Sequence, residues 1–193
     1  SVLTPLQEAV RRPGAQPCLT GVSGATAAFA LTLLVRDPAG PSWLVVAPSD
    51  EAAERLCEDL QFFHAMLGVS SDVTHPIFLA RFPEWDTLPY EATPPHVELT
   101  AQRMRALHRL TEKSRTLLVT SVQAVVQRLL PRSVFVEVCL RFTPGQTLER
   151  DLLITRLLRL GYRRSSVVEI PGEFSVRGGI MDMRRSIVES SNV

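Results

Sequence analysis

Residues 20–29 run Thr-Gly-Val-Ser-Gly-Ala-Thr-Ala-Ala-Phe, behind a short apolar entry at Cys18 and Leu19 and ahead of an apolar helical stretch. That is the frame of a phosphate-binding loop: strand, turn, helix. The working loop is Gly-x-x-x-x-Gly-Lys-Ser/Thr, in which the lysine meets the β/γ-phosphates and the hydroxyl holds magnesium. Counted from Gly21, the second glycine is Thr26, the lysine is Ala27 and the hydroxyl is Ala28. Helix-terminal amides alone still attract anions, but the cation and the metal anchor are gone. No cofactor is therefore expected at Gly21, Gly24, Ala27 and Ala28. An ordinary strand-to-helix turn has the same appearance.

Other catalytic groupings are thin. His64, His75, His96 and His108 fall on different elements, and no Ser/His/Asp or Cys/His set is visible. Cys18, Cys57 and Cys139 lie far apart, without metal-ligand spacing, so zinc is not expected. Glu84, Asp86, Glu91 and Glu98 cluster within or beside a proline-rich loop, the usual setting of solvated carboxylates. In that loop, Phe82-Pro83-Glu84-Trp85-Asp86-Thr87-Leu88-Pro89-Tyr90 sets two aromatics between prolines. They can stack on bases or fold back to cap a sheet, and the cap is the favoured reading.

The best candidate surface is near the end of the chain. Phe174 and Val176 alternate with Ser175 and Arg177, so the first pair is expected inside and the second outside. Gly178-Gly179 predicts a bulge or bend. An arginine on a strand edge offers a planar fork to a protein partner. Arg163 and Arg164 are placed to extend a basic patch. A solvated strand face would look alike.

The elements that position these residues follow from punctuation and periodicity. A helix is expected from Gly24 to Arg36, broken by Asp37-Pro38-Ala39-Gly40-Pro41. Trp43 to Ala47 is a continuous apolar run, as in a strand buried on both faces. Ser49 caps a helix with Asp50 and Glu51 in its first turn, and Gly68 stops it. Strands at Ile77–Phe82 and Thr116–Thr120 flank a helix over Val97–Thr111, whose predicted buried side is Leu99, Met104, Leu107 and Leu110. Ser121 caps a helix ended by Pro131. The alternation predicts a parallel sheet covered on both faces. Past residue 132 the pattern changes to α+β. A strand is expected at Val134–Phe142, then a helix capped by Thr147 and ended by Gly161. A hairpin of Ser166–Ile170 and Glu173–Met183 is expected around Pro171-Gly172.

Bulk properties narrow the classes. The 193 residues carry 21 basic and 20 acidic side chains, a formal charge of +1, which gives no global footprint for nucleic acid. The longest apolar stretch, Ala25 to Val35, is too short to span a bilayer. No signal-peptide pattern opens the sequence. A cytoplasmic protein without membrane contact is expected.

These residues together resemble the N-terminal region of the bacterial transcription-repair coupling factors (Mfd), which are similar to the excision-repair helicase subunit UvrB. The resemblance rests on the Gly21–Gly24 loop and on the segment Phe82 to Tyr90. It also rests on Val119-Thr120-Ser121-Val122-Gln123-Ala124 and on Gly161-Tyr162-Arg163 leading to Pro171-Gly172-Glu173-Phe174-Ser175-Val176-Arg177-Gly178-Gly179-Ile180-Met181-Asp182. It implies a RecA-like α/β domain with a degenerate Walker A loop (residues 1–132) and a small α+β, UvrB-domain-2-like module (133–183). It implies a non-catalytic module that recruits UvrA in transcription-coupled nucleotide excision repair. Glu173, Ser175, Arg177 and Arg163 are the expected partner-binding residues, and the resemblance implies that Arg177 falls on a residue of the family's UvrA contact. ATP with Mg²⁺, RNA polymerase and DNA are implied for separate motor domains of the family. Residues 184–193 depart from the family pattern, which continues with a Phe-Pro turn and further contact residues. Two alternatives stay open: a UvrB-type helicase fragment binding ATP and DNA, and a DNA-binding module using Trp85, Arg163, Arg164 and Arg177.

Overall fold

The computed structural model describes residues 4–37, 40–69, 77–87, 95–112, 114–140, 142–170 and 172–184. Helix α1 (Thr4–Arg11) leads into an irregular stretch that contains Cys18 and Leu19. The strand expected there does not form, and both side chains are exposed. Pro17 removes a ladder donor directly before them. Gly21 and Gly24 take positive φ of 74° and 55°, and α2 (Thr26–Val35) starts after that turn.

Three strands, β1 (Trp43–Ala47), β2 (Ile77–Phe82) and β3 (Arg115–Ser121), form a parallel sheet in the order β1-β3-β2. Parallel strands need long crossovers, supplied by α3 (Asp50–Met66) from β1 to β2 and by α4 (Val97–Thr111) from β2 to its neighbour β3. Strand residues alternate between two cores. Val45, Leu79, Leu117 and Val119 pack under α2 and α3, against Ala28, Val35, Ala53 and Leu60. Ala80, Phe82 and Leu118 pack against Ala106 and Leu107 of α4 and Ala124 of α5 (Val122–Val126). The caps form as the sequence indicates. Ser49 Oγ accepts from the Ala52 amide at 3.2 Å, and Ser121 Oγ from the Ala124 amide at 3.1 Å. Each such cap is worth about 1 kcal/mol.

Two expectations in this sheet need correction. β1 is buried on one face only, with Leu44 59% and Val46 46% exposed. Among the described residues it stands at a sheet edge, and α5 is too short to cover it. The buried side of α4 is centred on Arg103 and Ala106, while Leu110 is exposed.

Beyond residue 131 the expected strand at 134–142 is replaced by helix α6 (Arg132–Val138). The Phe135 amide donates to Pro131 O at 2.9 Å, closing its first turn, and Phe135 is the buried residue. Helix α7 (Arg150–Arg159) starts later than predicted, with Glu149 rather than Thr147 at its cap position. Leu157 is its fully buried anchor. Gly161 ends it with φ 85°. A second sheet follows, ordered β4-β5-β6: β4 (Arg163–Arg164), β5 (Glu173–Arg177) and β6 (Ile180–Met183). β4 and β5 run parallel, β5 and β6 antiparallel. The hairpin therefore turns at Gly178-Gly179 and not at Pro171-Gly172, and residues 166–170 form no strand. Gly178 has φ 58°, a conformation that a hairpin turn needs and glycine adopts freely.

Among the described residues, no helix is long and apolar enough to cross a membrane, and no group of three or more His, Cys, Asp or Glu is placed to hold a metal ion.

Candidate partner-binding surface

The surface is built on β5. Phe174 is fully buried and fixes which face of the strand turns inward. Ser175, expected outside, is also buried, and its hydroxyl donates to Ser166 O at 3.1 Å. The 165–170 segment lies over that face, so Ser175 holds the segment and does not meet solvent. Glu173 is likewise engaged. Its carboxylate accepts from the amides of Glu169 and Ile170 at 3.0 and 3.2 Å, which fixes the turn before the strand.

Arg177 is the outward group. Its side chain is 63% exposed, with Nη2 3.5 Å from Asp182 Oδ2 on β6. An exposed pair of this length constrains the guanidinium only lightly. Beside it, Arg150 Nη1 donates to Gly178 O at 3.4 Å, so a second guanidinium flanks the turn. Sequence reasoning missed Arg150, because nothing local marks a residue at the start of α7 as a neighbour of residue 178. Arg163 is exposed on β4, opposite Glu173. Four residues of strand separate that register from Arg177, about 13 Å at the usual rise. Arg177 with Arg150, and Arg163 with Arg164, thus form two separate basic points at opposite ends of β5.

The other sequence candidates lie elsewhere. Ala28 is fully buried in the core under α2, Ala27 is half-buried, and Gly21 and Gly24 stand in an open turn. The Trp85 segment is clamped as a cap at the carboxyl ends of the strands. Arg103 of α4, 1% exposed, lies between the rings of Phe82 and Trp85, with its guanidinium carbon 4.0 and 4.2 Å from the two centroids. Its Nη1 donates to Pro83 O at 2.5 Å and to Gln127 Oε1 at 2.9 Å. Gln127 Oε1 also accepts from the Trp85 amide, and Asp50 Oδ1 accepts from the Glu84 amide, each at 3.3 Å. Burial pushes the Arg103 pKa down to about 10, with Asp50 opposing. A stacked, hydrogen-bonded arginine reads as polar in sequence, so its burial carried no signal there. Residues 88–94, including Tyr90, lie outside the described residues, as do 185–193.

Residues 140–192 match the family model of the UvrB interaction domain. Over most of its length the chain is also similar to proteins named transcription-repair-coupling factor. One from Myxococcus xanthus is 36% identical over 173 residues, 89% of this chain and 14% of that protein. One from Escherichia coli is 29% identical over 172 residues, again 89% and 14%. One from Bacillus subtilis is 28% identical over 183 residues, 95% and 14%. The chain resembles part of a transcription-repair coupling factor and matches a UvrB interaction domain toward its end. It spans about 14% of the length of these relatives. Arg177, Arg150 and the Gly178 turn all fall inside the stretch matched by the UvrB interaction domain.

Proposed function

We propose that this chain is the UvrA-recruiting module of a transcription-repair coupling factor, acting in transcription-coupled nucleotide excision repair. Arg177 and Arg150 at the β5–β6 turn meet the partner, Arg163 supplies a second basic point, and Glu173 and Ser175 hold the strand that carries them. The observation that carries this reading is the exposed Arg177 turn within the 140–192 match to the UvrB interaction domain. The module is proposed to be non-catalytic, a RecA-like unit with a degenerate Walker A loop joined near residue 132 to a small α+β unit. ATP-driven translocation, DNA and RNA polymerase are proposed for other parts of the longer protein. Intracellular work on DNA repair fits a cytoplasmic location.

The test is a pull-down with UvrA. The wild-type chain is expected to retain UvrA, and Arg177→Ala to lose at least tenfold in affinity, as arginine hot spots cost about 2 kcal/mol or more on truncation. Equal retention of both would remove Arg177 from the interface. Titration with ATP and Mg²⁺ is expected to give no heat of binding, and micromolar affinity would overturn the non-catalytic reading.

A further inference from the structure

We infer that the free edge of β2 is a docking slot for one extended segment of a partner protein, with basic and acidic side chains alternating along it. The slot is independent of the β5–β6 turn.

Among the described residues, β2 ends the large sheet, and its backbone pairs only with β3. Helices α3 and α4 flank it on opposite faces of the sheet. Between them lies a cavity of about 470 Å³, bounded by Leu79, Ala80 and Arg81 of the strand. Helix α3 contributes positions 54, 57, 58 and 61, and α4 contributes positions 102, 105, 106 and 109. Both sets have the spacing i, i+3, i+4, i+7, so each helix turns a single stripe into the gap. Small buried residues, Cys57 and Ala106, form the floor and leave room for a chain. An unpaired strand edge between two helical walls is the geometry of strand addition. Main-chain hydrogen bonds then hold the guest, and alternate side chains are read by the walls.

The walls differ in charge. The α3 side carries Glu54 and Glu58, with Asp50 and Glu54 already paired to Arg81 of β2. That side keeps a surplus of negative charge. The α4 side carries Arg105 and Arg109. Arg109 is steadied by Glu112 at 2.9 Å and by the Phe78 ring, 4.4 Å below its guanidinium carbon. Residues four apart on a helix are about 6 Å apart along its axis. Residues two apart on a strand are about 6.6 Å apart. The pair Glu54 and Glu58 therefore matches two successive side chains on one face of an added strand, and Arg105 and Arg109 match two on the other. A guest strand that presents lysines to α3 and glutamates to α4 complements both walls in one register, with Arg109 shared between Glu112 and the guest. A segment with the same charges in blocks does not.

The test uses fluorescence anisotropy with the full chain and labelled hexapeptides, acetylated and amidated. Val-Lys-Glu-Lys-Glu-Val is expected to bind, and Val-Lys-Lys-Glu-Glu-Val to bind several-fold more weakly. Methylating the two lysine backbone nitrogens, or the two glutamate ones, blocks opposite edges of the guest strand. One of the two methylated peptides is expected to lose binding and the other to keep it. Glu58→Lys and Arg105→Glu, checked for native far-UV circular dichroism, are each expected to weaken the alternating peptide roughly fivefold, the scale of cross-strand charge pairs. Equal binding of alternating and block peptides, equal behaviour of both methylated peptides, or no binding at millimolar peptide would each overturn the proposal. So would self-association of the chain that Glu58→Lys abolishes while no peptide binds, since that assigns the slot to a second copy.

Discussion

Arg177 and Asp182 sit diagonally across the β5–β6 hairpin, 3.5 Å apart and both more than half exposed. The carboxylate competes with any partner for the guanidinium. Removing it as Asp182→Asn is expected to change stability by less than about 0.5 kcal/mol, because exposed pairs contribute little. Affinity for UvrA is expected to hold or rise. Chemical denaturation and a pull-down read the two effects separately, and a clear loss of binding would give Asp182 a direct contact.

Gly178 is the hinge of that arrangement. With φ 58°, any side chain there is strained although nothing crowds its Cβ position. Gly178→Ala is expected to cost about 1 kcal/mol, read as a lower urea midpoint. It should weaken UvrA binding as well, since it moves the turn beside Arg177.

The clamp at Arg103 predicts an asymmetric pair of substitutions. Its Nε and Nη2 are buried without a hydrogen-bond partner. Gln127→Glu puts a carboxylate where an amide oxygen now lies 2.9 Å from Nη1. It is expected to stabilise the fold by about 1 kcal/mol, by giving a buried charge its counter-ion. Arg103→Lys loses the planar stack between two rings and is expected to cost about 2–3 kcal/mol. Urea unfolding followed by tryptophan fluorescence measures both.

Buried His64 makes the fold acid-sensitive. Burial lowers its pKa, and Nε2 has no partner. The unfolded chain then takes up the proton more readily than the folded one. Stability from this site is full above the unfolded value of about 6.5 and falls as pH drops from there through the lower folded pKa. His64→Leu is expected to flatten the fall in urea midpoint between pH 7.5 and 5. An unchanged slope would assign the acid loss to other groups.

Cys57 and Cys18 are expected to separate by thiol reactivity. Burial raises the Cys57 pKa to about 11, whereas Cys18 is exposed. At pH 8 an aromatic disulfide reagent should modify Cys18 promptly and Cys57 only on unfolding. Prompt loss of Cys57 in the native state would show that the floor of the β2 slot opens.

Short-range chemistry was legible in the sequence. Ser49 and Ser121 cap, and Gly68 and Gly161 stop, because each acts within one turn of its own helix. The parallel sheet was legible from the order of elements. Failures came where longer-range packing decides. The run Ser133-Val134-Phe135-Val136-Glu137-Val138 is β-branched and alternating, yet one buried Phe135 holds it as a helix against its propensity. Trp43 to Ala47 is apolar throughout, but only the finished sheet shows that α5 leaves Leu44 and Val46 bare. For Ser175 the segment folded over it decided its burial. The β2 slot depended on residues of two helices nearly fifty positions apart, and no local pattern pairs them.

The bare side of β1 has a practical consequence. Leu44 and Val46, with Val125 and Val126 of α5 also exposed, leave oily seams on a molecule whose formal net charge is only +1. Concentrated stocks of this chain will cling to one another and to surfaces. A single lysine at position 44, turned to water, is the change that should keep it dispersed without touching the Arg177 turn.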